Sequence, residues 1–381
     1  MSRVSEAVAR GARRFPTTDA ALEICGWGRA LPGPPRTQAE VLRWLVRHLP
    51  DHGFDSREAR ILFRRAGVAT RHLVVDLDDD PLFSPAGRAA GPPGLARRMQ
   101  RFHAEAPALG ARACRQALAE AGVGPDEVSH LVTVSCTGAG SPGLDVALLD
   151  ALGLAPTTSR THIGFMGCHG AFNGLTVAAG LARRHPGRPL LLCPVELCSL
   201  HAGATPDGRA QVADALFADG AAALVVRHRP LAAGPPADGE APWRLVDSAS
   251  CLLPEGRRDL TWDLGERGFV MGLSAALPER IAAHLSGWLE AWLDRLGLSV
   301  KDVAGWAVHP GGPRILDTVR EALGLPAAAV EVSRQVLAEF GNMSSPTVLF
   351  ILERLRRTGA ARPCVALGFG PGPVAEAALF T

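Results

Sequence analysis

The stretch "HIGFMGCHGAFNGLTVAAG", residues 162–180, decides how the chain is read. Gly164 to Met166 is short and apolar, as at the end of a strand, and Ala171, Leu175, Ala178 and Ala179 recur at helical spacing. Between them Gly167 and Gly170 bracket Cys168. A helix N-terminus carries unpaired N–H groups and partial positive charge, which favours thiolate over thiol. Flanking glycines let a thioester approach closely. The pattern predicts strand, reactive cysteine, helix. An inert buried cysteine at a helix start fits the same residues.

Bulk composition narrows the classes. With 381 residues, 47% of them apolar, the chain can bury a large core as one domain or two similar ones. A net charge of +2 is too near balance to indicate a nucleic-acid partner. No apolar run is long enough to cross a membrane. The opening "MSRVSEAVARGARRFPTTDA" lacks the apolar core of a signal peptide, so a cytoplasmic protein is expected. Lys301 is the only lysine and tyrosine is absent, a coding bias that makes Arg runs uninformative. The eight cysteines form no C-x-x-C pair, which argues against a zinc site or a redox dithiol; Cys114 and Cys364 sit among apolar neighbours and read as core.

Strand and helix patterns alternate throughout, which predicts a layered α/β fold. "ACRQALAEAGVGPDEVSHLVTVS" (113–135) and "GWLEAWLDRLGLSVKDVAGWAVH" (287–309) both read as helix, acidic loop, buried strand. "ALFADGAAALVV" (215–226) and "ALGFGPGPVAEAAL" (366–379) each read as strand, glycine turn, strand. Two matched elements in the same order suggest a duplicated chain. The expected division is an arm at 1–20, a first half at 21–229, a Pro/Gly/Ala-rich linker at 230–242 and a second half at 243–381. A pseudo-twofold would bring matching strand ends together, so partners of Cys168 are sought at junctions of the second half. His309 follows a buried strand in "GWAVHPGGPRIL", and Asn342 stands in "EFGNMSSPTVLF", where Ser344 or Ser345 would cap the next helix. A core histidine and a turn asparagine are the plain alternatives.

A cysteine, a histidine and an asparagine at one point suit acyl transfer followed by carbon–carbon bond formation. His309 in reach of Cys168 would hold a thiolate with a depressed pKa, which attacks a thioester. Loss of carbon dioxide from a malonyl thioester leaves an enolate that imidazole and carboxamide N–H groups stabilise. A papain-like protease uses the same residue types in a different setting.

The chain resembles the type III polyketide synthases, the chalcone and stilbene synthase family of the thiolase fold, from about Ala20 to the end. "GFMGCHGAFNGL", "ALFADGAAA", "HPGGPRIL", "GNMSSPTVLF" and "GFGPG" carry the resemblance. It implies a duplicated αβαβα layered fold and a homodimer with no cofactor beyond coenzyme A thioesters. It also implies malonyl-CoA and an acyl-CoA starter as substrates, Cys168 as nucleophile, His309 and Asn342 as enolate stabilisers, and Phe217 as gatekeeper. Glu196 and Ser344 fall on cavity positions, and Arg65, Gly311 and Gly312 on coenzyme A positions.

The chain departs from the plant pattern along the cavity. Met271 stands where plant members carry a second phenylalanine, and Cys136, Cys198 and His201 stand where they carry threonines. Ser141 replaces a methionine in the loop that the family places across the dimer. A flexible thioether favours long acyl starters and alkyl pyrone or alkylresorcinol products, whereas the bulkier His201 favours small starters. Two other readings remain at this point. One is a single-condensation ketoacyl synthase or acyltransferase, although its "HQAN"-like and "GNTSAAS"-like segments do not occur here. The other is a catalytically silent partner subunit, against which the intact Cys-His-Asn-Phe set speaks.

Overall fold

The computed structural model describes residues 20–83, 93–204, 210–230 and 242–381. Apart from Ala20, Pro230 and Pro242, the arm and linker expected from sequence lie outside the described residues. In chain order the strands are β1 (Ala20–Ala30), β2 (Arg36–Thr37), β3 (Thr70–Arg71), β4 (His130–Ser135), β5 (Ser159–Gly164), β6 (Leu190–Leu197) and β7 (Asp219–Pro230). Then follow β8 (Arg244–Leu252), β9 (Leu260–Leu264), β10 (Phe269–Leu273), β11 (Gly305–Val308), β12 (Cys364–Gly370) and β13 (Val374–Phe380).

Nine of them pair in the order β5-β4-β6-β7-β1-β8-β13-β12-β11. At the centre β1 meets β8 through the pairs Leu22–Leu245 and Glu23–Arg244. Outward from that seam the pattern repeats. On one side β1, β7 and β6 pair antiparallel and β4 runs parallel to β6. On the other, β8, β13 and β12 pair antiparallel and β11 runs parallel to β12.

The first sequence echo lands on this symmetry. Helix Leu95–Ala121, the turn Pro125–Glu127 and β4 match helix Leu277–Arg295, the turn Val300–Asp302 and β11. The second echo is half right. Residues 366–379 are strand, turn, strand, but Ala215 and Leu216 close the helix Ala210–Leu216, so there only β7 answers β13.

Strand side chains alternate between faces, and here both faces are covered. Leu131, Leu191 and Ala221 pack with Ala106, Leu109 and Ala113 of helix Leu95–Ala121. Their neighbours Val132, Leu192 and Ala222 turn the other way, onto Phe172 and Leu175 of helix Gly170–Arg184. In the second half Trp306, Val308 and Val365 pack with Ile281, Leu285 and Leu289 of helix Leu277–Arg295. Ala307 and Ala366 face inward, in the same cluster as Val348, Phe350 and Ile351 of helix Thr347–Arg357. The two inner helices therefore lie together against the inner face of the sheet, between its two halves, with the other helices on its outer face. This is the thiolase-like αβαβα arrangement. Cys114 and Cys364 are fully buried core residues. Among the described residues no helix is long and apolar enough to cross a membrane.

Candidate active site

Cys168 lies in a tight turn, Gly167–His169, between β5 and helix Gly170–Arg184. The bracketing glycines are required by packing. Gly167 has φ +72°, and a Cβ there would sit 2.5 Å from Pro371 Cδ; one at Gly170 would sit 2.8 Å from Val134 Cγ1. Cys168 is half-buried, and the side chains of Ser344 and Asn342 are close enough to lower the pKa of its thiol.

Asn342 sits between helix Glu331–Phe340 and helix Thr347–Arg357, 1% exposed. Its Oδ1 accepts from the Ser344 N–H at 2.8 Å, which leaves the carboxamide N–H end for the thiol. The backbone is pinned as well: Asn342 N–H donates to Leu216 O and Ala218 N–H donates to Asn342 O, each at 2.9 Å. This isolated parallel bridge sets Phe217 beside Asn342. Neither Ser344 nor Ser345 caps the following helix, whose N-cap is Pro346 with no side-chain hydrogen bond. Their hydroxyls are committed elsewhere, Ser344 Oγ to Cys136 Sγ at 3.4 Å and Ser345 Oγ to Glu196 Oε1 at 2.6 Å.

His309 follows β11, its N–H donating to Leu367 O at 2.7 Å. It is buried near His169, the neighbour of the thiol, and among the described residues neither ring nitrogen has a hydrogen-bond partner. Such unpaired buried groups are uncommon and call for a ligand. The three junctions are not of one kind, as the sequence suggested. Cys168 and Asn342 precede the two inner helices, whereas His309 ends the counterpart of β4.

Glu196 is fully buried at the end of β6. Its oxygens accept from Ser345 Oγ, from Thr137 Oγ1 at 2.7 Å, from Cys136 N–H at 3.0 Å and from Ser135 Oγ at 3.3 Å. Burial raises its pKa against these donors. A saturated carboxyl of this kind fixes Cys136 and Ser345 in place.

Phe217, Met271, Cys198 and His201 line one cavity together with Trp262 and Phe269. Met271 is paired with Trp262 across β9 and β10. Trp262 packs edge-on against Phe217 at 6.1 Å, and its indole N–H donates to Cys136 O at 2.7 Å. His201 stacks on Phe269 at 4.3 Å. Its Nε2 is 2.8 Å from Thr137 O and its Nδ1 accepts from Phe269 N–H, so the ring is fixed as the Nε2–H tautomer. Burial pushes its pKa down to about 3, keeping it neutral. Ser141 is exposed, bonded to Pro142 through a cis peptide, and is not among these lining residues.

The family profiles described as "Chalcone and stilbene synthases, N-terminal domain" and "C-terminal domain" match residues 23–230 and 244–381. The chain belongs to this family. The "Alpha-pyrone synthesis polyketide synthase-like Pks18" of Mycobacterium tuberculosis is 32% identical over 371 residues, covering 96% of this chain and 92% of that protein. The "3,5-dihydroxyphenylacetyl-CoA synthase" of Streptomyces toyocaensis is 33% identical, with 92% of each chain covered. Among solved structures, PKS-I from the brown alga Ectocarpus siliculosus superposes with a TM-score of 0.89 at 31% identity, covering 95% of this chain and 98% of that one. The protein is a type III polyketide synthase, an acyl-CoA condensing transferase.

In this synthase burial works against the depressed thiol pKa expected from sequence. Burial pushes the Cys168 thiol up to about 11, Glu196 adding to the rise while Ser344 and Asn342 oppose it. Burial, with His169 adding, pushes His309 down to about 3. Both shifts favour a neutral thiol and a neutral imidazole over an ion pair. Inactivation by iodoacetamide without substrate should therefore rise about tenfold per pH unit from pH 6 to 9. A plateau reached below pH 8 would reveal a thiolate–imidazolium pair instead.

Arg65 is exposed at the end of helix Arg57–Arg65. Two residues on, a Cβ at Gly67 would lie 2.7 Å from Pro313 Cγ, so this helix end neighbours the turn of Gly311 and Gly312. Trp262 and Phe269 were not singled out from sequence. Their strands are short and their neighbours mixed, and only the β9–β10 register turns the rings onto Phe217 and His201.

Proposed function

We propose that this synthase loads a short acyl-CoA starter on Cys168, extends it with malonyl-CoA and cyclises the product, using no cofactor beyond the thioesters. The observation that carries the site reading is the Asn342 carboxamide, whose N–H end is turned to the Cys168 thiol by the Ser344 N–H on its Oδ1. In loading, Cys168 Sγ attacks the thioester carbonyl while its proton passes to His309, and coenzyme A leaves with that proton. In extension, a malonyl thioester bound in the same place loses carbon dioxide. The electron pair becomes an enolate held by the N–H groups of Asn342 and neutral His309. Its carbon attacks the acyl carbonyl, and Cys168 leaves as thiolate and takes a proton from solvent. Phe217 and Trp262 keep water from the enolate.

Cavity size supports the short starter. The volume is about 50 Å³, and none of Cys168, His309 and Asn342 lines the cavity; so small a space beside Phe217 suits a short chain. Met271 lines it, but the fixed His201 and Trp262 rings stand beside it. With acetyl, hexanoyl, decanoyl and palmitoyl starters, kcat/KM should peak at hexanoyl or below and fall by at least tenfold at palmitoyl. A steady rise to palmitoyl would reject this reading in favour of a long tunnel.

Homodimerisation in the cytoplasm is part of the same proposal. Phe165 and Met166, 45% and 42% exposed, offer an apolar patch beside the nucleophile turn. The eight cysteines are unpaired, as suits a reducing compartment. Light scattering should give twice the 40.0 kDa chain mass; the single mass would exclude the dimer.

A further inference from the structure

One buried cation outside the reacting groups is tied to both sides of the site. Arg71 ends β3 and is 1% exposed. Its Nη1 donates to Asp214 O at 2.8 Å and to Phe217 O at 2.7 Å. Its Nη2 donates to Ala215 O at 2.6 Å and to Gln38 Oε1. Gln38 Nε2 in turn donates to Ala215 O at 2.9 Å and to Phe63 O at 3.2 Å.

The last carbonyls of a helix have no partner inside it. Here the planar guanidinium gathers two from the end of helix Ala210–Leu216 and the carbonyl of Phe217 itself. The same segment pairs with Asn342 through Leu216 O and Ala218 N–H. The approach is close: a Cβ at Gly341 would lie 2.9 Å from Ala218 Cβ and 3.4 Å from Arg71 Cβ. Burial pushes Arg71 down to about 10, with Asp214 and Asp219 opposing, so it stays charged at neutral pH.

We propose that Arg71 is a positioning residue, which locks the Phe217 segment against Asn342 and thereby couples decarboxylation to condensation. This rests on the roles given above to Phe217 and Asn342. Without the fork the carbonyls of Asp214 and Phe217 lose their donor, Ala215 O keeps only Gln38 Nε2, and the segment relaxes. Water then reaches the enolate. The enolate takes a proton and leaves as acetyl-CoA, so malonyl-CoA and a proton give acetyl-CoA and carbon dioxide with no new carbon–carbon bond.

The test measures acetyl-CoA released against ketide formed, for wild type, Arg71→Met, Arg71→Lys, Gln38→Ala, Phe217→Ala and the Arg71→Met/Phe217→Ala double variant. Arg71→Met should load starter on Cys168 normally and shift the ratio at least tenfold towards acetyl-CoA. Arg71→Lys, with a charge but no fork, should recover part of the coupling. The double variant should be no more uncoupled than Phe217→Ala alone. If Arg71→Met does not fold, Arg71→Lys and Gln38→Ala carry the test, each expected to shift the ratio a few-fold. A wild-type ratio in every folded Arg71 and Gln38 variant, with Phe217→Ala shifted, overturns the role of Arg71. A wild-type ratio in Phe217→Ala overturns the gatekeeper reading instead.

Discussion

Cys168→Ala should show no acylation by intact-mass spectrometry after incubation with any starter, and product formation should fall roughly 10³-fold or more. The variant removes one sulfur from a half-buried turn and leaves the hydrogen bond between Asn342 Oδ1 and Ser344 N–H untouched. Folding should therefore be close to wild type. Malonyl-CoA decarboxylation should persist at a reduced rate, because the two groups proposed to hold the enolate are still present. That split, loading lost and decarboxylation retained, separates a missing nucleophile from a collapsed site. A normally acylated Cys168→Ala protein would place the nucleophile elsewhere, and among the described residues Cys136, 3.4 Å from Ser344 Oγ, would be examined first.

Asn342→Ala should show the converse. On the proposed mechanism loading uses the thiol and His309, so acylation of Cys168 should continue. Decarboxylation and condensation should both fall by roughly 10²–10³-fold, about 2.7–4 kcal/mol, the loss typical of one N–H donor at a developing oxyanion. Asn342→Asp keeps the shape and the acceptor for Ser344 N–H but replaces the donor with negative charge. It should be at least as poor. If carbon dioxide release by Asn342→Asp matched wild type, the carboxamide would have no part in the enolate step, and the parallel bridge to Phe217 would be its whole purpose.

Much of this was legible in the sequence. The apolar strands gave the alternation of layers because both of their faces are buried, as all eight residues of β6 are. Cys168, His309 and Asn342 could be found because each stands beside glycines at the end of a regular element, where period and punctuation change together. The charge state could not. It depends on how deeply His309 sits and on Glu196 lying near the thiol, which are facts of packing. Arg71 was equally hidden, since its partners are backbone carbonyls, and any residue type supplies those. The echo at Ala215 misled for a local reason: small apolar residues before a glycine turn fit a helix end as well as a strand.

The inner layer has a consequence for how the chain is made. Helices Gly170–Arg184 and Thr347–Arg357 share a single apolar cluster drawn from both halves. As the polypeptide leaves the ribosome, the Cys168 turn and the helix after it emerge long before the strands and helix that will cover their other side. Until they arrive that side is wet, and neither Asn342 nor His309 is in place. Chemical competence thus comes with the final docking of the second half, so an unfinished chain carries the nucleophile without the means to use it.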